Sequence, residues 1–89
     1  MNDEIYMFNG KNITMNVCLQ IRDVVHLIQK AYQASFEDAV AMFYRSNTYK
    51  TLQNTENGLW AESAEYIMDC FTEERNNIVK QNKKDRNLN

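Results

Sequence analysis

Residues 46–66, Ser46-Asn-Thr-Tyr-Lys-Thr-Leu-Gln-Asn-Thr-Glu-Asn-Gly-Leu-Trp-Ala-Glu-Ser-Ala-Glu-Tyr66, decide how the 89-residue chain is read. Ser46 and Ser63 stand where an N-cap hydroxyl would accept a backbone N–H, so a helix is expected to start after each. The first, capped by Ser46 or Asn47, is short, through about Gln53, with Tyr49 and Leu52 three apart on one side. Asn54 to Gly58 is a polar turn in which Asn57-Gly58 suits positive φ. Leu59 and Trp60 then follow at once, the pattern of a loop pegged under the core by two large apolar side chains. The stretch is a clasp between helices.

Working outward, the chain after Ser63 has helical period. Ala64, Ile67, Phe71 and Ile78 share one face, with Met68 and Cys70 on its flanks, and Glu62, Glu65, Asp69 and Glu73 lie opposite. This helix is expected over about 64–79, with a polar, frayed, basic tail over 80–89. Upstream, Ser35 with Asp38 resembles a capping box, and Glu37 and Asp38 suit the positive end of a helix dipole. A helix over 36–45 follows, its buried stripe Phe36, Ala39, Val40 and Phe43. Before it, Val17, Ile21, Val24, Val25, Ile28, Ala31 and Tyr32 make one broad apolar stripe from about 17 to 33, opposite Arg22, His26, Gln29, Lys30 and Gln33. Leu19 and Met15 sit off the stripe, as a contact patch or a seat for the N-terminal segment. In that segment Asn9-Gly10 suits a two-residue hairpin turn, and Ile13, Met15 and Val17 alternate with polar residues at strand period. Ile13 and Val17 equally fit a helical face continuing into the next segment.

The expected fold is therefore all-α: one domain over 1–79, a small antiparallel bundle of three main helices plus one short helix, with an extended or hairpin lead-in. Two glycines and no proline favour long helices over a turn-rich β design. A chain this short hides only about 60–65% of the surface of its unfolded form, so a homodimer is a ready way to cover what remains.

Charge and composition narrow the function classes. Residues 1–74 carry five basic and eleven acidic side chains, net −6, whereas residues 75–89 carry five basic and one acidic, net +4. No apolar run approaches the roughly 20 residues needed to span a bilayer. The acidic start at Asp3 and Glu4 lacks the basic n-region of a signal peptide, so a cytoplasmic location is expected. Cys18 and Cys70 form no Cys-x-x-Cys pair and read as buried reduced thiols. His26, three residues after Asp23, reads as a surface side chain loosely paired with that acid. Neither cysteine lies on its face, and no phosphate-cradling glycine loop or zinc spacing occurs, so no catalytic, cofactor or metal role is assigned. The expectation is a chain that is not an enzyme.

Two binding roles remain. The Glu62, Glu65, Asp69 and Glu73 stripe suits a basic partner, because like charges four apart repel and are relieved on contact. With Tyr49, Trp60 and Tyr66, aromatic residues of the kind that dominate binding hot spots, these acids are the candidate partner-binding residues. The alternative is a small DNA-binding regulator, with a helix–turn–helix-like segment placing Lys50, Gln53 and Asn54 near base edges and the basic tail on phosphates. The −6 body opposes it, since phosphate neutralisation supplies most non-specific affinity.

The pattern Ser46-x-Thr48-Tyr49-x-x-Leu52, then Gly58-Leu59-Trp60-x-Glu62-Ser63-x-x-Tyr66, with Phe43 before it and Glu73-Glu74 after it, resembles a family of short uncharacterised bacterial proteins. The resemblance covers about residues 17–74. Asn57 stands where the family pattern has Thr, which keeps the turn and changes its hydroxyl. The family brings no activity with it. Relatives of this kind are often encoded beside ADP-ribosyltransferase-like proteins, which implies an antitoxin-like or inhibitory partner of another protein.

Overall fold

The computed structural model describes the backbone of residues 5–87 and the side chains of residues 5–79. Asp3, Glu4 and the side chains of the basic 80–89 segment thus lie outside the described residues. A short antiparallel hairpin, β1 (Met7–Phe8) and β2 (Lys11–Asn12), leads into helices α1 (Thr14–Tyr32), α2 (Phe36–Tyr44), α3 (Asn47–Gln53) and α4 (Ala64–Asn87). Two 3-10 turns, Thr55–Asn57 and Leu59–Ala61, join α3 to α4. The fold is predominantly all-α.

The hairpin follows from its turn. Asn9 (φ 50°) and Gly10 (φ 77°) both take the left-handed conformation that matches strand twist in a two-residue connection, pairing Met7 with Asn12 and Phe8 with Lys11. The strand alternation at Ile13, Met15 and Val17 does not continue it, because α1 starts at Thr14, three residues before the expected position. The Asn12 side-chain carbonyl accepts the Thr14 N–H (2.9 Å), and the Thr14 hydroxyl accepts the Tyr6 N–H (2.8 Å). These bonds turn the chain into the helix early. At its other end Gln33 takes a left-handed conformation, and the Gln29 carbonyl accepts the N–H groups of Gln33 and Ala34.

The three serine caps form where the sequence puts them. Ser35 Oγ accepts from Asp38 N–H, Ser46 Oγ from Tyr49 N–H and Ser63 Oγ from Tyr66 N–H, at 3.0–3.1 Å. Each such cap contributes about 1 kcal/mol. Gly58 (φ 77°) supplies the left-handed residue between the two 3-10 turns, whereas Asn57 stays at negative φ and uses its side chain. Its amide donates to the Thr51 carbonyl, and its carbonyl accepts from Leu59 N–H.

Helix α1 packs against α2 and α4, and α3 lies against α4. Val17, Val24, Val25 and Ile28 from α1 meet Ala39 and Phe43 from α2, Tyr49 and Leu52 from α3, and Ile67 and Phe71 from α4, with Ile13 and Leu59 at the margins. Phe43 is at the centre, its ring edge-on to Tyr49 (5.4 Å) and to Phe71 (6.0 Å).

Several apolar positions fall outside this core. Ala31, Tyr32 and Phe36 are exposed because they flank the α1–α2 turn at the end of the bundle. Met15 and Leu19 are exposed too, and the hairpin leaves Met15 70% accessible. Cys18 faces solvent rather than the core, since it lies beyond the edge of the α1 stripe, while Cys70 is half-buried; both thiols are free. His26 is exposed, but Asp23 pairs with its neighbour Arg22 (2.9 Å).

Helix α4 is longer than expected. Its backbone stays helical through residues 80–87, a segment without glycine or proline whose three lysines, one glutamine and one arginine are good helix formers. At 1.5 Å per residue its 24 residues span about 36 Å, and every side chain from Arg75 to Val79 is exposed. The helix projects beyond the bundle, giving extents of 52 × 27 × 23 Å. The radius of gyration, 14.7 Å, exceeds the roughly 12 Å of a compact chain of this length. Ile78, expected on the same face as Ile67 and Phe71, is 51% exposed.

Candidate functional site

An open groove of about 650 Å³ lies between α4 on one side and α3 with the 3-10 turns on the other. Its walls are Tyr66, Cys70, Glu73, Asn77 and Ile78 along α4 and Asn47, Thr48, Thr51, Asn57, Gly58 and Leu59 across from them, with Glu62 and Glu74 also in the lining.

Glu74 fixes the width of the groove. Its carboxylate accepts from Asn47 N–H (2.9 Å), Thr48 N–H (2.9 Å) and the Thr48 hydroxyl (2.8 Å). The first N–H groups of a helix have no partner within it. Glu74 and the Ser46 hydroxyl satisfy three of those in α3, so α3 is tied end-on to α4. Partial burial disfavours the Glu74 charge, but the bonds from Asn47 and Thr48, with Arg75 nearby, outweigh it and hold the carboxyl below its ordinary pKa.

The opposite end is fixed by Gln20 of α1, whose amide donates to the backbone carbonyls of Trp60 (3.0 Å) and Glu62. Trp60 is half-buried and turned inward. Its ring lies on Phe8 (5.5 Å between centroids) and its indole N–H donates to the Thr55 carbonyl (3.0 Å). Thr55 in turn donates its hydroxyl to the Met7 carbonyl (2.8 Å). Trp60 thus pins the 3-10 turns to the hairpin.

The seven candidate partner-binding residues divide accordingly. Glu62, Tyr66 and Glu73 come together on the groove, and Tyr66 is 51% exposed. Glu65 and Asp69 are exposed on α4 but lie round the helix from the groove. Tyr49 is only 8% exposed, edge-on to Phe43 and stacked on Tyr44 (4.4 Å, 8° between planes), so it serves packing rather than contact. Trp60 is placed by packing as well. Glu74, Asn47 and Thr48 escaped the sequence reading. The usable signal was a carboxylate on the core-facing side of α4, beside Ile67 and Phe71, where a charge needs a partner.

Burial, then the charges of Glu73 and Asp69, push the Cys70 thiol above its ordinary pKa and keep it protonated at neutral pH. Among the described residues no three His, Cys, Asp or Glu side chains are grouped to hold a metal ion. Among the described residues the lining contains acids and no lysine or arginine, and the carboxylates of Glu62 and Glu73 have no ion pair. With Tyr66 as an aromatic wall, the groove suits a cationic side chain.

No helix among the described residues is long and apolar enough to cross a membrane. No family model matches the chain, and no curated protein or solved structure is significantly similar to it.

Proposed function

We propose that this chain is a non-enzymatic protein-interaction module that restrains or recruits another protein, in an antitoxin-like or inhibitory manner, by receiving a basic segment of that protein in the groove between α3 and α4. The observation that carries the proposal is the pair Glu62 and Glu73, unopposed among the described residues, on a groove that also exposes Tyr66 and Ile78 and has no basic side chain among its described lining residues. Carboxylates at its rim favour a cationic partner and speed its approach, and the exposed aromatic and aliphatic side chains supply apolar contact. The DNA-reading alternative is less favoured, because the Gln53 amide is engaged by the Tyr6 hydroxyl (3.2 Å).

The test is capture from an extract of the native host on the immobilised chain, followed by mass spectrometry, with wild type beside a Glu62→Lys, Glu73→Lys variant. The expected result is a protein retained by wild type at low salt and lost both at high salt and by the variant. Capture indifferent to the charge reversal, or no captured protein, would sink the proposal.

A further inference from the structure

We infer that the same groove receives the basic end of α4 from a second copy of this chain, pairing two copies as an antiparallel, two-fold dimer. The inference rests on the groove being a receptor for basic segments and names one such segment.

Helix α4 is divided by charge. Its first half carries Glu65, Asp69, Glu73 and Glu74 with Arg75 at its end, and its last turns carry Lys80, Lys83, Lys84 and Arg86 with Asp85 as the one acid among them. Opposite charges on one helix support each other only three or four residues apart. Here the positions three and four after Glu73 are Asn76 and Asn77, and those after Asp69 are Thr72 and Glu73. The positions three and four before Lys80 are again Asn77 and Asn76. The two halves therefore cannot neutralise each other within their own helix. Nor can the basic half fold back, because the backbone stays helical to Asn87 and carries it away from its own groove. The acidic groove of another copy remains.

The spacing supports a helix as occupant. Tyr66, Cys70, Glu73 and Asn77 follow one another at intervals of four, three and four and all line the groove; Lys80 and Lys84 continue the same spacing. That is the seam along which two helices pack side by side. Run antiparallel about a two-fold axis near residue 75, it sets the Lys80 position of one copy beside Cys70 and Glu73 of the other, and the Lys84 position beside Tyr66. The same contacts recur at the other end, so the interface is self-complementary and closes at two copies. Its seam is largely polar and its ion pairs are open to water, so the association is expected to be weakened by salt.

The test measures the mass of the full chain by light scattering and sedimentation, at about 50 mM and about 500 mM salt. Wild type is expected at twice the 10.5 kDa monomer at low salt, with a dissociation constant raised about tenfold or more at high salt. Glu73→Lys alone, and Lys80→Glu with Lys84→Glu alone, should each be monomeric, with helical content confirmed by circular dichroism. Mixing those two variants should restore the dimer, since the reversed charges at positions 73 and 80 then meet as opposites. A wild type that is monomeric at low salt, a dimer indifferent to the single reversals, or failure of the mixture to pair would each overturn the inference. A monomer that still captures a host protein through Glu62 and Glu73 overturns this inference alone. A dimer that captures nothing overturns the proposed function alone.

Discussion

The Glu74 carboxylate and Thr48, 26 positions apart in sequence, share two hydrogen bonds: one Glu74 oxygen accepts both the Thr48 N–H and its hydroxyl, at 2.9 and 2.8 Å. The other oxygen accepts Asn47 N–H. A seven-residue helix is too short to persist alone in water. This anchor, with the Ser46 cap and the burial of Tyr49 and Leu52, is what keeps α3 in place and the groove open.

Glu74→Ala should destabilise the fold by about 1–3 kcal/mol, because charge-assisted bonds are lost and the α3 donors are left short of partners. The effect has a pH signature. The folded-state pKa lies below the ordinary value of 4.5, so the stability from this group is fully present above that value and is lost as pH falls through the lower folded pKa. Urea unfolding of wild type and Glu74→Gln from neutral to acid pH checks the sign. The gap between them should be widest near neutrality and close in acid, and a gap that widens in acid would contradict the assignment.

Trp60→Ala should lower stability by about 2–3 kcal/mol, less than a fully buried tryptophan would cost, because the ring is half-buried. Trp60→Phe should cost about 1 kcal/mol, keeping the ring against Phe8 while the Thr55 carbonyl loses its indole donor. Thermal melts followed by circular dichroism distinguish these outcomes. An unchanged melting temperature in Trp60→Ala would show that the 3-10 turns do not depend on the peg.

The two thiols should differ in reactivity. Cys18 is exposed, while Cys70 is half-buried with its thiol pKa raised, so a thiol reagent at mildly alkaline pH should modify Cys18 first. Single Cys18→Ala and Cys70→Ala variants assign the fast and slow phases. Faster modification of Cys70 would mean that the groove lowers its pKa instead of raising it.

Much of the fold is local and was therefore legible along the chain. Ser35, Ser46 and Ser63 cap the helices that follow them because an N-cap needs only a hydroxyl and the N–H three residues later. Asn9-Gly10 makes its hairpin because the turn needs only two residues that tolerate positive φ. The buried stripe at Val17, Val24 and Ile28 follows from helical period alone. Where local preferences conflicted, at Ile13 to Val17, the Asn12 and Thr14 side-chain bonds decided for helix.

What the tertiary structure decided is which of several equivalent side chains meets a partner. Tyr49 and Tyr66 look alike in sequence, each three residues after a capping serine, yet Tyr49 is buried against Phe43 and Tyr44 and Tyr66 faces the groove, because only α3 has the body of the bundle on that side. Glu73 and Glu74 are adjacent, yet one is an exposed charge on the rim and the other is bound to α3, since successive residues on a helix point about 100° apart. By itself the sequence determined the helices, the starts of α2, α3 and α4 after their serines, and an acidic face. The approach of α3 to α4, which depends on bonds between residues far apart in the chain, turned part of that face into a groove.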